Sequence, residues 1–332
     1  MASFSETGPS KPVVESIRVD RVSPGARAGR TVRAIVVIGL AIIGLIPIIV
    51  MATTAFKTRS DVVSVPPKAF FQPTLEGFVY LLTERALLPP ARLKEAQANP
   101  AQLDWMEQIA LDSGQKITGP SKYVGRLWNS VIIAGLSTLF SVVLGTFAAY
   151  GFSRFAIAGK DDLLFFILST RMLPAVVVTI PLFLMYRQLG LHDTHAGMIL
   201  LYTAFNLSLS VWLLKGFIDE IPKEYEEAAL VDGYSRMQAF WKIVLPQAAT
   251  GIAATTVFCL IFAWNEYAFA LMLTSDTART APPSIATMLG RGGIEWSAIA
   301  AGSLGFLIPV VIVTFALRKY LLRGVTFGAI RQ

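Results

Sequence analysis

The 332-residue sequence predicts an all-α, polytopic membrane protein with six transmembrane helices. Three observations predict it. Hydrophobic residues make up 54% and charged residues only 15%, whereas an average soluble chain carries about 25% charged residues. Mean hydropathy is +0.58. Six apolar runs, 34–55, 130–152, 163–187, 196–216, 248–274 and 298–317, each approach or exceed the length that crosses a bilayer. Backbone groups in lipid must bond internally, so these runs are helices.

The elements follow in order. Residues 1–33 are rich in Ser, Pro, Gly and Arg, with six basic and three acidic residues, and read as a disordered basic tail. The run 34–55 starts too late and is too long for a secretory signal peptide, so it is an uncleaved first span. The segment 56–129 is the largest part outside the spans and is expected to form an extracytoplasmic helical lobe. Within it, a first helix occupies about 75–88 and Pro89-Pro90 ends it. Asn99 then reads as an N-cap, Pro100 as the first helical position and Gly114 as the helix end. Leu103, Met106 and Ala110 share one face of that helix. Residues 130–317 form the transmembrane core, and 318–332 are a tail. Pro47, Pro174, Pro181 and Pro309 lie inside spans, where proline kinks a helix.

Orientation follows from basic residues in the short loops. With the N-terminus inside, the segments 1–33, 153–162, 217–247 and 318–332 hold fifteen Lys and Arg. The short loops on the other side, 188–195 and 275–297, hold only Arg279 and Arg291. Both termini are therefore expected in the cytoplasm. The net charge of +7 is mostly orientation charge, which removes the argument for nucleic-acid binding. Cys259 is the sole cysteine and lies in an apolar run, so no intrachain disulfide forms. His192 and His195 flank Asp193 in a polar loop, short of the three or four protein ligands a stable metal site needs.

The loop 217–247 is the informative stretch. Pro222 favours a helix start, and Glu224, Glu226 and Glu227 sit near its positive end. Gly233 supplies a left-handed stop, and Ser235 with Gln238 forms a capping box for a second short helix. Pro246 marks a break before the next span. Ala228 and Ala229 keep one face of the first helix shallow, which admits another surface. The loop holds no nucleophile–base pair suited to catalysis.

This loop resembles the signature of bacterial ABC-importer permeases. Glu227, Ala228, Ala229, Gly233, Ile243, Leu245 and Pro246 occupy every fixed position, spacing included. The resemblance covers about 60–332 and is closest to the carbohydrate branch. Phe71 to Glu76, Asn129-Ser130, Ala149 to Arg154, Arg171 to Pro174, Ile180 to Phe183, Gly190-Leu191, Trp264 to Tyr267 and Gly324 to Gly328 carry it. It implies the ABC type I importer permease fold, with the 222–246 loop as the helix that docks in a cleft of the ATPase subunit. It also implies a second permease subunit, two ATPase subunits, an extracytoplasmic solute-binding protein and a sugar as cargo, in the bacterial cytoplasmic membrane. The external segment 75–122 is longer than that family leads one to expect. No Walker A is present; Gly25 to Thr31 has three residues between its glycines and no Lys. The chain is thus expected to be no enzyme and to hold no cofactor, with ATP and Mg bound by the partner ATPase. A self-contained secondary transporter is the alternative, but the paired interrupted helices it would show are not evident in the sequence.

Polar residues inside spans are costly and face protein or water. Asn206, Trp264, Asn265, Glu266 and Tyr267 are candidates for a pathway wall offering hydrogen bonds and an aromatic face to a sugar. Interhelical polar contacts are the competing reading. Arg171 is a buried charge about eight residues into the third span, and a direct pair with Glu266 requires the spans to tilt together.

Overall fold

A computed structural model of the chain describes residues 24–66, 68–93, 103–290 and 293–326. Two units are distinguished, Met1–Val50 and Met51–Gln332. Four helices are individually long and apolar enough to cross a bilayer: Val32–Ala55, Tyr123–Arg154, His195–Asp219 and Trp296–Arg318. Two bent pairs, Lys160–Met172 with Val177–Gln188 and Arg236–Gln247 with Ala249–Trp264, bring the total among the described residues to six where each pair counts as one span.

Four sequence expectations need correction. The first helix starts at Pro24, so residues 24–33 are helical rather than part of a disordered tail. The third span is not continuous. Leu173 and Pro174 are extended, with ψ of 125° and 130°, and separate a turn at Thr170–Met172 from the Ala175–Gln188 helix. Pro174 disfavours the helical conformation at the residue before it, which explains the break. The fifth span ends at Trp264 and resumes as Ala268–Leu273.

The fourth correction concerns 56–129, which is not all helical. Glu76–Leu82 is helix, but Thr83–Leu87 pairs antiparallel with Gln115–Pro120. The Thr83 hydroxyl turns back to the Val79 carbonyl at 2.5 Å as the chain leaves the helix. Asn99 and Pro100 lie outside the described residues. The observed helix is Trp105–Asp112, opened by a capping box between Asp104 and Glu107. Gly114 does follow its end, at φ 73°.

The core of the second unit is a seam between the Tyr123–Arg154 and His195–Asp219 helices. Ser137, Ser141, Thr203 and Ser210 are buried along it, and the Ser141 hydroxyl reaches the Thr203 carbonyl at 3.1 Å. Small residues let membrane helices approach closely. Gly145 shows how closely: a Cβ there would overlap the side chain of Ser210. At one end of the seam, Tyr150, Leu214, Ile218, Phe240 and Val244 form the apolar floor beneath the 217–247 loop.

Candidate functional site

The 217–247 loop folds as helix, glycine turn and helix. Glu224–Val231 is helical, two residues later than the start expected at Pro222. Gly233 sits at φ 86°, and its N–H and that of Tyr234 return to the Leu230 and Ala229 carbonyls, which is how a left-handed glycine closes a helix. Ser235 and Gln238 form the expected capping box at 2.8 and 3.2 Å. The chain then runs through a wider turn at Phe240–Val244 into Leu245–Gln247. Glu227, Ala228 and Gly233 are exposed, Ala229 is buried, Ile243 and Leu245 are half-buried, and Pro246 is exposed. Tyr225, Val231 and Met237 project apolar side chains outward, with Val231 88% exposed. Exposed apolar groups clustered on one short loop suit a docking surface.

Sequence reasoning missed how this loop is fastened. Glu226 is buried, and its carboxylate accepts from the Tyr150 hydroxyl at 3.0 Å and from Arg154 Nε. Arg154 also donates to the Ile221 carbonyl at 2.9 Å and to Ser153 Oγ at 2.8 Å. Ser153 in turn donates to Asp219 at 2.5 Å. One guanidinium thereby ties the end of the Tyr123–Arg154 helix to both ends of the 219–226 connection. The available signal was Tyr150 and Arg154 one helical turn apart.

A second constellation lies within the spans. A cavity of about 250 Å³ is lined by Arg171, Tyr202, Phe205, Asn206, Phe262 and Glu266, among others. Both helix breaks feed it. Arg171 rides on the turn before Pro174, donates to the Phe205 carbonyl at 3.2 Å and lies 4.2 Å from the centroid of the Phe262 ring. Glu266 sits in the 265–267 gap. Its carboxylate accepts the Phe269 and Ala270 N–H groups at 2.8 and 3.0 Å and the Tyr202 hydroxyl at 2.6 Å. This is the reason the helix can stop and restart inside an apolar run: the carboxylate takes up the N–H groups that the restart exposes.

Arg171 and Glu266 share the cavity without an ion pair among the described residues. Asn206 lines it while donating to the Cys259 carbonyl at 3.1 Å. Three expected wall residues turn elsewhere. Trp264 stacks on Phe306 with centroids 4.8 Å apart and donates to its carbonyl. Asn265 bonds back to the Ile261 carbonyl at 2.9 Å. Tyr267 is 41% exposed and outside the cavity lining. Tyr202, Phe205 and Phe262 are among the lining residues that periodicity did not single out.

At the other end of the molecule Asp193 organises a loop. It stands at φ 56° and accepts N–H groups from Ser275, Asp276, Thr277 and Ala278 at 3.0–3.2 Å. Burial pushes its carboxyl up, but these four N–H groups outweigh that and bring it down to about 2. His195 pairs with Asn129 at 2.8 Å, and His192 packs edge-on against Phe183.

Comparison with known proteins adds four findings. Residues 141–327 match the family model described as binding-protein-dependent transport system inner membrane component. A trehalose/maltose transport system permease protein of Thermococcus litoralis is 32% identical over 304 residues, 90% of this chain and 97% of the relative. A trehalose transport system permease protein of Mycobacterium tuberculosis is 34% identical over 74% of this chain and 89% of its own length. Among solved structures, a bacterial ABC transporter involved in import of the acidic polysaccharide alginate superposes with a TM-score of 0.62. It is 22% identical and covers 90% of this chain and 98% of the matched one, a likeness of fold.

Proposed function

We propose, because the chain belongs to the binding-protein-dependent transport system inner membrane component family, that its cargo is a sugar: an oligosaccharide, a monosaccharide or a polyol. As a member of that family it is a multi-pass inner-membrane permease subunit of an ABC importer, itself without catalytic activity or cofactor. ATP is bound by partner ATPases, and a periplasmic binding protein completes the complex.

The observation that carries the sugar reading is the 32% identity over 90% of the chain to a trehalose/maltose permease. The finer assembly in this reading has a second permease, two ATPase subunits and the binding protein. The distribution of Lys and Arg in the short loops supports cytoplasmic termini and an extracytoplasmic 56–129 segment.

In this reading the ATPases grip the 222–246 loop. Glu227, Ala228, Ala229 and Gly233 form the docked helix and its stop, while Ile243, Leu245 and Pro246 lead into the fifth span. Closure of the ATPases moves the loop, and the Arg154–Glu226 pair carries that motion into the Tyr123–Arg154 helix. The cavity between Arg171, Asn206 and Glu266 is the candidate passage. Trp264, Asn265 and Tyr267 act around it by shaping the break in the fifth span.

The test is uptake by vesicles holding the assembled importer and its binding protein, with labelled trehalose, maltose and D-glucose. Uptake should require the ATPase subunits. Glu227→Lys or Gly233→Pro should separate ATP hydrolysis from uptake while the complex still assembles. Normal transport by both variants would remove the coupling assignment, and transport of none of the sugars would remove the cargo assignment.

A further inference from the structure

Half of the buried unpartnered polar side-chain atoms among the described residues gather in one place. Arg85 Nε and Nη1, Arg126 Nε and both carboxylate oxygens of Glu295 have no hydrogen-bond partner. All three side chains line a cavity of about 230 Å³ at the start of the Tyr123–Arg154 helix, the end opposite Arg154. Buried polar groups are nearly always satisfied, so such a cluster calls for an occupant.

The walls say what occupant fits. Glu295 is 3% exposed, and its ion-pair partner Arg59 stands at 3.9 Å, beyond hydrogen-bond reach. Arg85 lies 3.4 Å over the Tyr80 ring, which fixes the guanidinium plane and leaves its edge to donate. Lys122 is already engaged, with both Asp276 oxygens at 2.7 Å, and Arg126 Nη2 faces the same carboxylate at 3.8 Å. Orphan donors and orphan acceptors therefore line the same cavity. Ser121, Ser284 and Thr287 also line it, their hydroxyls donating to the Leu81, Thr280 and Pro283 carbonyls and keeping their oxygens as acceptors. An ammonium ligand would meet the guanidinium groups, and an anion would meet the Glu295 carboxylate. A neutral molecule with adjacent hydroxyls donates to Glu295 and accepts from Arg85 and Arg126 at once.

We infer that this cavity is a binding site for one neutral sugar ring, separate from the cavity at Arg171 and Glu266. The inference rests on the sugar reading above and on the outward placement of the helix start. It puts a holding position for cargo on the side where a binding protein releases it, before the passage through the spans. Solvent is the competing occupant, since a cavity of about 230 Å³ admits several waters.

The test uses the assembled importer in lipid nanodiscs without its binding protein, with trehalose, maltose and D-glucose as probes in saturation-transfer difference NMR. Ring protons of the transported sugar should receive saturation from the wild-type complex and from the Asn206→Leu variant of the other cavity. Glu295→Gln and Arg85→Leu should weaken binding roughly ten-fold, the loss of one charge-assisted hydrogen bond. Retained ATPase activity shows that each variant is assembled, and Arg85→Lys serves as a second, milder variant. A signal no greater than that of empty nanodiscs, or one unchanged by Glu295→Gln, overturns the inference in favour of solvent. Protection of the cavity's amides by sugar-free binding protein alone overturns it in favour of a protein contact. Vesicle uptake separates the two failures: trehalose uptake with an unaltered Glu295→Gln signal removes this site only, whereas uptake of no sugar removes both readings.

Discussion

Arg154 and Glu226 form an ion pair whose side chains are only 5% and 9% exposed, and it is the point where a membrane helix is bolted to the exposed loop beside it. A buried pair is weak evidence for stability as such, because both charges have lost their water. Its use here is geometric. The guanidinium also holds the Ile221 carbonyl and Ser153, so helix end and loop share one rigid joint.

Removing one partner strands the other. Glu226→Leu or Arg154→Leu should cost about 3–5 kcal/mol and lower the melting temperature of the purified complex. Arg154→Lys keeps the charge but cannot make the three donations, so it should fold while lowering sugar moved per ATP hydrolysed. The double exchange Arg154→Glu with Glu226→Arg should recover part of the lost stability. An Arg154→Lys complex with unchanged stoichiometry of transport would remove the joint from the coupling route.

Gly233 is a second prediction about the same loop. Nothing lies within 4 Å of a Cβ built there, so space is not its constraint; its φ of 86° is. Gly233→Val should cost about 1–2 kcal/mol because left-handed backbone is unfavourable for residues with a branched Cβ. Gly233→Asn should be tolerated, since Asn visits that region. ATPase activity stimulated by the loaded binding protein is the measurement, and equal loss in both variants would point to the side-chain surface instead of the turn.

The sequence made this loop readable because its signals are local: a first-turn acid cluster, a glycine stop and a capping box, all within 25 residues. The number of spans was readable for the same reason. What escaped was set by contacts between distant residues. The break at 265–267 depends on Glu266 finding Tyr202 from another helix. The strand Thr83–Leu87 needs Gln115–Pro120 as its partner. Trp264 looked like a sugar platform in the run Trp264 to Tyr267, yet the helix phase turns it onto Phe306. Glu226 was invisible beside Glu227, because neighbouring helix positions face different directions.

Glycines within the Tyr123–Arg154 helix allow a contrast. Gly145→Val should overpack the seam against Ser210 and cost about 1–3 kcal/mol or more. Gly135→Ala in the same helix meets nothing within 4 Å and should be neutral. Yield of folded protein after detergent extraction reads both, and equal yields would show that the two helices do not pack as closely as this seam requires.

Glu266 gives a prediction for the cavity. Glu266→Leu leaves two N–H groups of the Ala268–Leu273 helix unmet and should cost about 1–2 kcal/mol as a lost cap. Tyr202→Phe removes one hydrogen bond to the same carboxylate and should cost about 1 kcal/mol. If the cavity is the passage, both should slow uptake more than they slow ATP hydrolysis. Parallel decline of the two rates would make Glu266 a structural cap and nothing else.

The last prediction concerns acid. Burial would raise the Asp193 carboxyl, but N–H groups of Ser275 to Ala278 hold it near 2 instead of its ordinary 3.8. A carboxyl depressed by folding contributes stability that is fully present above its unfolded value and lost as pH falls through its folded value. The loop 275–278 should therefore be secured by Asp193 at neutral pH, loosened from about pH 4 downward and released below about pH 2. Asp193 is partly open to solvent, and solvent screening reduces the contribution to about 1 kcal/mol at pH 7. Asp193→Ala should accordingly speed amide exchange at Ser275 to Ala278 at pH 7. The difference from wild type should shrink below pH 4 and vanish only below about pH 2, once the wild-type carboxyl is protonated as well. A difference that persists undiminished in acid would mean that the loop is held by the left-handed turn at Asp193 and not by its charge.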